Sequence, residues 1–389
     1  MTVTPCGFTR TPEKGLARLH WSDAGWAVDG HAPDPAMNVA GDPAGDPVKD
    51  MADDVAELRP LRGLEIEWPA APVPLDGLLR LAAAGVPLAA PEAGDPATPD
   101  AGSVPGWVPE DLARLLADRA WLAHAPDGTA RCLADLRREE HSVRLRRLAH
   151  RVSGTPAISV VMATKRPALV AGALAQMARQ RGVEVEVLLG LHGVPFERVR
   201  QAVEDAGLPV AWVEAGPDVP FGQVLNDAAA LAGGDHVAKW DDDDWYGPDH
   251  LADLVMAAAY SGADVVGTAG EFFYLEPLHT TIRRTTFASG AAYRSEVWSD
   301  HVAGGTILTS RSKFHDIGGF PAQPRAVDRD FLKAATEAGA RVYRTHGLGY
   351  VLRRTLSGGH TWQLPLAHFL KVASSQWRGF RPSLLMEAA

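Results

Sequence analysis

Residues 158–167 read Ile-Ser-Val-Val-Met-Ala-Thr-Lys-Arg-Pro, and this segment decides the fold class. Its first six residues form an apolar, β-branched run that is typical of a buried strand. The polar residues from Thr164 onward end that strand, and a helical pattern of apolar residues follows from Ala168 to Gln180. The segment therefore predicts a strand, a turn and a helix in succession.

The same alternation continues along the chain. Strand-like runs follow at 184–191, 209–214 and 236–240. Helical patterns separate them near 195–206 and 222–232. Strands that alternate with helices predict an α/β fold with a mainly parallel sheet and helices on both faces. Ligands of such sheets bind beyond the carboxyl ends of the strands, so the candidate site segments are 164–167, 192–194 and 241–247.

Four consecutive carboxylates, Asp241 to Asp244, follow the predicted strand 236–240. Adjacent carboxylates repel one another, so this position costs stability unless a cation or solvent offsets the charge. Alternate residues of an extended segment share a face, which allows Asp241 and Asp243 to point together into the crevice. Their oxygen donors suit Mg²⁺ or Mn²⁺. The alternative is a solvated acidic turn.

Five motifs between residues 156 and 350 together indicate a family by their order and spacing. They are Thr164-Lys165-Arg166-Pro167, the run from Gly222 through Asn226 to Asp235, the aspartates 241–244, Gly318-Gly319-Phe320 and Asp328-Arg329-Asp330. In order and spacing this region resembles a family two glycosyltransferase with the GT-A fold, a Rossmann-like α/β architecture. The resemblance covers about half of the chain.

The resemblance implies a transferase that moves a sugar from a nucleotide diphosphate donor, linked to UDP, GDP or dTDP, to an acceptor hydroxyl. It further implies inversion and assistance by Mn²⁺ or Mg²⁺ at an Asp-x-Asp motif, where a cation stabilises the diphosphate leaving group. Asp243 matches the main metal position, Asp241 is assigned to the metal or the ribose, and Asp244 to the donor sugar. Asp242 is expected to be solvated.

Asp328 matches the carboxylate that accepts the acceptor's proton in the resembling family. A general base must lie within hydrogen-bond reach of the attacking hydroxyl. The alternative is that Asp328 or Asp330 caps the helix that begins near this point. We assign Asp330 to a capping or supporting role.

The remaining donor-site predictions concern the two ends of the domain. Donor binding is assigned to Thr164, Lys165, Arg166, His192, Asn226, Trp245, Arg353 and Arg354. The alternatives are a bystander role for His192, a core position for Trp245, and pairing with an aspartate for one of the two arginines. His192 stands where the family usually has a pair of aspartates that hold the nucleobase, so the base stays unidentified. Trp245 is a candidate for stacking on a sugar, and Arg353 and Arg354 for clamping phosphate. His360 is a candidate metal ligand, or else a surface histidine on a glycine-rich segment.

Composition excludes several other classes of protein. The chain has 389 residues and a formal charge of −10, which argues against a general binder of nucleic acid. Two cysteines are too few for a disulfide framework or a thiolate zinc site, which fits a reducing cytoplasm. Neither a signal peptide nor a membrane span is evident in the sequence.

We predict four regions from these patterns. They are an accessory domain over 1–130 with loops rich in Pro, Gly and Asp, a linker helix over 131–154 with a solvated basic face, the GT-A domain over 155–350, and a helical or loop extension over 351–389 that closes the donor site. The sequence does not indicate the role of the first 150 residues, the acceptor or the oligomeric state.

Two other functions stay open on the sequence alone. One is a nucleotidyltransferase that makes a sugar nucleotide, although the chain lacks the expected glycine-rich phosphate loop near its amino terminus. The other is a non-catalytic protein of the same fold that binds a glycan or a nucleotide.

Overall fold

The computed structural model describes residues 14–29, 58, 61–91, 104–122, 133–150, 154–286, 289, 294–355 and 365–380. The chain forms two compact units, Met1–Arg151 and Val152–Ala389. No helix in these described ranges has both the length and the apolar composition needed to cross a bilayer.

The strands and helices are numbered in chain order. The strands are β1 (Lys14–Ser22), β2 (Gly25–Val28), β3 (Leu61–Glu67), β4 (Leu88–Ala89), β5 (Ala157–Thr164), β6 (Glu184–His192), β7 (Val210–Ala215), β8 (His236–Lys239), β9 (Trp245–Tyr246), β10 (Val265–Thr268), β11 (Phe272–Leu275), β12 (Thr280–Arg284), β13 (Val297–Trp298), β14 (Leu308–Ser310), β15 (Val342–Thr345), β16 (Tyr350–Arg354) and β17 (Ala373–Arg378). The helices are α1 (Asp76–Ala83), α2 (Glu110–Ala117), α3 (Leu133–Ala149), α4 (Pro167–Ala178), α5 (Arg200–Glu204), α6 (Phe221–Ala229), α7 (His250–Ser261), α8 (Arg311–Ile317), α9 (Val327–Glu337) and α10 (Leu366–Val372).

The amino-terminal unit contains a small sheet in the order β2-β1-β3-β4, which the sequence analysis did not predict. Helix α3 packs in this unit, and the structure differs here from the predicted linker helix with a solvated face. Arg138 donates to the carbonyls of Leu61 and Arg62, at 3.0 and 2.8 Å, and Ser142 donates to Gly85 O at 3.0 Å. These buried side chains satisfy backbone carbonyls of the unit, which is why a strongly polar helix tolerates burial.

The second unit is built on a sheet in the order β13-β15-β10-β14-β8-β5-β6-β7. Strands β8, β5, β6 and β7 run parallel, and α4 and α6 connect members of this group. Strand β14 is antiparallel to both β8 and β10. The predicted α/β class, with a mainly parallel sheet and flanking helices, is confirmed. Apolar side chains from the sheet and helices form its two largest cores.

A second sheet of this unit has the order β17-β12-β11-β16-β9 among the described residues. The described part of the predicted carboxyl-terminal extension therefore supplies strand β17, which pairs antiparallel with β12. Strand β16 pairs with β9 directly after the four aspartates. This sheet fixes the segment Asp241–Asp244 from its carboxyl side.

We expect acid to destabilise the protein through His250, which lies at the start of α7 and is only 2% exposed. Burial lowers the pKa of His250 to about 3, although Asp253 opposes the shift. In the unfolded chain His250 binds a proton with a pKa near 6.5, whereas in the folded chain it stays neutral down to about pH 3. The free energy of unfolding therefore falls as the pH drops below 6.5. The loss at pH 5 is about 2 kcal/mol.

The measurement is the melting temperature of the parent and of His250→Phe between pH 7.5 and 5. The phenylalanine variant should show a smaller drop on acidification, because it has no proton to gain. His315→Gln, at an exposed position of α8, is the matched control and should keep the parental slope. An identical slope in His250→Phe and the parent would exclude His250 as the source.

Candidate active site

The four aspartates lie just beyond the carboxyl end of β8, in two alternating environments. The side chains of Asp242 and Asp244 are each 4% exposed, whereas those of Asp241 and Asp243 are 33% and 19% exposed. Asp241 and Asp243 are thus the more exposed pair, as predicted, although residues 242–244 form a turn and a bend rather than the predicted extended segment.

Asp242 is buried by residues from the end of β5. Thr164 Oγ1 donates to it, and the Arg166 guanidinium donates from Nε at 3.2 Å and also from Nη2. The expectation that Asp242 is solvated is therefore wrong, because long-range partners satisfy its carboxylate. Arg166 Nη1 also reaches Asp243 Oδ2 at 2.9 Å. Thr164 and Arg166, predicted to bind the donor, hold the acidic segment against β5.

Asp244 turns toward the second sheet. It accepts hydrogen bonds from Tyr350 OH and from the backbone N–H of Arg353, the latter at 3.0 Å, and Arg354 Nη1 lies 4.0 Å away. Burial raises the pKa of Asp244 to about 7, with the charge of Asp243 adding to the shift. Through these contacts Asp244 holds the aspartate segment against β16. This role differs from the predicted contact of Asp244 with the donor sugar.

Trp245, Arg353 and Arg354 differ in how far their side chains are exposed. Trp245 is 5% exposed, and its ring centroid lies 5.3 Å from that of Phe380. A ring buried in this way offers little surface for the predicted stacking on a sugar. The Arg353 side chain is 42% exposed, whereas that of Arg354 is 12% exposed and donates to Arg353 O. Phosphate clamping stays a prediction for these two residues.

A buried lysine joins the acidic segment to Asp328. Lys239, the last residue of β8, has a side chain only 2% exposed, and its Nζ lies 2.5 Å from Asp241 Oδ1 and 3.1 Å from Asp328 Oδ1. Burial by itself would lower the pKa of Lys239, but these carboxylates outweigh it and raise the pKa. Lys239 is therefore charged at neutral pH. Carboxylates almost ninety residues apart in sequence meet at one ammonium group.

The titration of Asp241 reflects this crowding. Burial raises its pKa and the Lys239 ammonium opposes that shift. The negative charges of Asp328 and Asp243 raise the pKa further. The carboxylates thus repel one another in spite of Lys239, and a bound cation would reduce this repulsion.

Two glycines border the same carboxylates. A Cβ at Gly304 would lie 2.3 Å from Asp328 Oδ2, and one at Gly305 would lie 2.7 Å from Asp241 Oδ2. Tyr246 OH donates to Gly305 O at 2.9 Å, and Asp241 N–H donates to that hydroxyl at the same distance. A side chain at either glycine would displace a carboxylate, so the absence of side chains here lets the turn pack directly against both groups.

Asp328 lies in the first turn of α9, and the residue at the helix cap is Ala326. Neither Asp328 nor Asp330 caps this helix, which removes the capping alternative for both. Asp330 is held by Arg329 Nε and Gln323 Nε2, each at 2.7 Å. Asp328 Oδ1 is buried, yet the side chain as a whole is 36% exposed.

Two predicted donor residues have structural partners. Asn226 Nδ2 donates to Phe320 O at 2.7 Å and Asn226 Oδ1 accepts from Phe320 N–H at 2.8 Å, so its amide anchors the Gly318-Gly319-Phe320 turn rather than a donor. His192 is 3% exposed and its Nε2 lies 3.1 Å from Pro217 O. Burial lowers the pKa of His192, and the charge of Lys165 adds to this shift. Lys165 is exposed and stays a candidate.

The candidate metal ligands are only partly described. His360 lies outside the described residues. Within the described ranges no three His, Cys, Asp or Glu side chains are arranged to enclose an ion. Mg²⁺ commonly takes only one or two carboxylates and fills its shell with water and substrate phosphates. Asp241, which lies next to Gly305, and Asp243 are the more exposed of the four aspartates and fit that mode of binding.

Sequence reasoning missed Lys239, Tyr350 and the Gly304-Gly305 turn. Lys239 immediately precedes Trp240 and the aspartates, and a lysine within a predicted buried strand was an available signal, since lysine is almost never buried unless paired. The turn carried no comparable signal, because its neighbours come from remote parts of the chain.

No model of a known protein family matches the chain, and no curated protein matches it. Among solved structures, it is similar to the mannosyltransferase PcManGT from Pyrobaculum calidifontis in complex with GDP-Man and Mn²⁺, with 23% identity, a TM-score of 0.41, and coverage of 54% of this chain and 60% of that one. It is also similar to S. aureus TarS 1–349 in complex with UDP-GlcNAc, with 17% identity, a TM-score of 0.39, and coverage of 56% and 64%.

These two matches cover about half of this chain and about 60% of the length of the solved structures.

Proposed function

We propose that this protein transfers a sugar from a nucleotide diphosphate donor to an acceptor hydroxyl, with inversion at the anomeric carbon. The observation that carries the proposal is the meeting of Asp241 and Asp328 at Lys239, beyond the carboxyl ends of the parallel strands. The site thus contains an acidic segment suited to a cation and a separate, partly exposed carboxylate suited to a proton.

Asp328 is the general base in this proposal. Its Oδ1 is held by Lys239, and its side chain is partly exposed beside Gly304. The oxygen of the acceptor hydroxyl attacks the anomeric carbon, the bond from that carbon to the diphosphate oxygen breaks, and Asp328 takes the hydroxyl proton. One base and one displacement give inverted stereochemistry.

The acidic segment acts on the leaving group. Asp241 and Asp243 would hold Mn²⁺ or Mg²⁺ together with the donor's phosphates, and the cation would stabilise the charge that develops on the nucleoside diphosphate. Asp242 and Asp244 keep the segment in place through Arg166 and Tyr350. The exposed side chains of Lys165 and Arg353 are candidates for contacts with the diphosphate.

The test is a thermal-shift panel of UDP-, GDP- and dTDP-sugars with and without Mn²⁺. A donor at a hundredfold excess over its Kd stabilises the folded chain by about 2.7 kcal/mol, which corresponds to a rise in Tm of about 5 to 10 °C. We expect one nucleotide series to stabilise the protein, and more strongly with Mn²⁺.

Product analysis then separates the candidate activities. Slow release of nucleoside diphosphate from the stabilising donor supports transfer. Formation of a nucleotide sugar from a nucleoside triphosphate and a sugar phosphate would identify a nucleotidyltransferase instead. Binding without any turnover would identify a non-catalytic protein, and the absence of stabilisation by every nucleotide would overturn the proposal.

A further inference from the structure

Lys239 has an unusual position for a lysine. Its side chain is 2% exposed at the end of a central strand, and its backbone N–H is held by Ile307 O at 2.8 Å. Burying an ammonium group is expensive unless carboxylates compensate for the lost solvent. Its partners are Asp241 Oδ1 and Asp328 Oδ1.

These partners belong to two different tasks in the proposed reaction. Asp241 belongs to the acidic segment that faces the diphosphate, and Asp328 is the proposed base on α9. Two carboxylates this close repel each other. An ammonium group has three donors and no acceptor, so it can hold one oxygen of each carboxylate at the same time.

The Gly304-Gly305 turn completes this arrangement from the other side. Asp328 Oδ2 and Asp241 Oδ2 are the oxygens closest to the absent side chains of that turn. Each carboxylate therefore has its Oδ1 next to the Lys239 ammonium and its Oδ2 packed against the glycine turn. Lys239 and the turn together fix the orientation of both carboxylates.

We infer that Lys239 is a positioning residue that aligns Asp328 and Asp241 for the transfer step. The inference rests on the proposed function, since it assigns Lys239 a role within that reaction. Lys239 is buried beneath the two carboxylates and acts through them without contacting the substrates. The competing explanation is that Lys239 only neutralises buried charge and stabilises the fold.

Lys239→Met keeps an unbranched side chain of similar shape and removes the terminal ammonium group with its charge. We expect kcat to fall by about 10- to 100-fold, as for outer partners of functional ligands, with little change in the KM for the acceptor. Equal losses in kcat and kcat/KM indicate an interaction used in the transition state. A purely structural role lowers the Tm and leaves the turnover of the folded fraction within about twofold of the parent.

A double-mutant cycle with Asp328→Asn provides the sharper readout. If Lys239 acts through Asp328, Lys239→Met should change the residual rate of Asp328→Asn by no more than about twofold. The same loss in both backgrounds would overturn the inference. A second cycle, with Asp241→Asn, uses Mn²⁺-dependent binding of nucleoside diphosphate as its readout. It measures the coupling between Lys239 and Asp241 without turnover.

Lys313→Met is the matched control. Lys313 also lies between two aspartates, 3.6 Å from Asp264 and 3.9 Å from Asp316, but it is 33% exposed and belongs to α8. This variant should keep the parental kcat. Lys239→Gln serves as a second variant, and failure of both Lys239 variants to fold would make the residue structural and overturn the inference.

The two proposals fail in different ways. A parent that neither binds nor turns over any nucleotide sugar contradicts the proposed function. An active parent whose folded Lys239→Met variant retains full kcat contradicts only the role of Lys239.

Discussion

Replacing Asp328 with asparagine is expected to lower the rate of sugar transfer by about 10²- to 10⁴-fold, the usual contribution of a positioned general base. Asparagine keeps an oxygen for Lys239, which lies 3.1 Å from Asp328 Oδ1 in the parent. It removes the group that takes the proton from the acceptor. Binding of the nucleotide sugar should persist, because Asp328 is assigned to the acceptor side.

The measurement combines transfer rate, donor affinity by calorimetry, and Tm. Asp330→Asn is the matched control, because Asp330 lies two residues further along α9 and its carboxylate is held by Arg329 and Gln323. The control should transfer sugar at the parental rate. A folded Asp328→Asn variant within a few-fold of the parent would remove Asp328 from the reaction.

The sequence predicts the parallel strands β5 to β8 well because their signals are local. The run from Ile158 to Ala163 is buried on both faces, and strand β5 covers it from Ala157 to Thr164. Helix α4 begins at Pro167, one residue before the predicted start. Apolar runs of this kind specify buried parallel strands without knowledge of their neighbours.

The second sheet could not be predicted in the same way. Strand β9 has only two residues, and its partner β16 begins at Tyr350, about a hundred residues later. Short strands carry little periodic signal, and their pairing depends on contacts that are remote in sequence. The sequence therefore predicts the strand end that precedes the aspartates, but it does not predict the sheet that holds Asp244.

In the candidate site, too, local features are predictable from the sequence and long-range contacts are not. The alternation of an extended segment predicts that Asp241 and Asp243 share a face, but it does not predict that Arg166 buries Asp242. The motif around Asn226 predicts a donor contact, whereas the folded chain commits its amide to Phe320. Polar side chains of these motifs thus serve the scaffold, and the sequence alone does not show this because their partners are remote in the chain.

The second large effect is expected from Asp243→Ala. Asp243 belongs to the more exposed pair of aspartates, and its change to alanine should remove a ligand of the proposed cation. Loss of an outer partner of a metal ligand costs about 10- to 100-fold in affinity, so loss of a ligand should weaken metal-assisted binding by more than about 100-fold. Binding measured without metal should change little.

Calorimetry of nucleoside diphosphate binding, with and without Mn²⁺, tests this expectation, and Asp242→Asn is the control from the same run of aspartates. Asp242 is buried against Thr164 and Arg166, so its replacement should lower the Tm and preserve the gain in affinity from Mn²⁺. Arg166 retains Asp242 as a partner in Asp243→Ala, which keeps the segment attached to β5. If Asp243→Ala gains as much affinity from Mn²⁺ as the parent, the cation is held elsewhere, and Asp243 serves only to pair with Arg166.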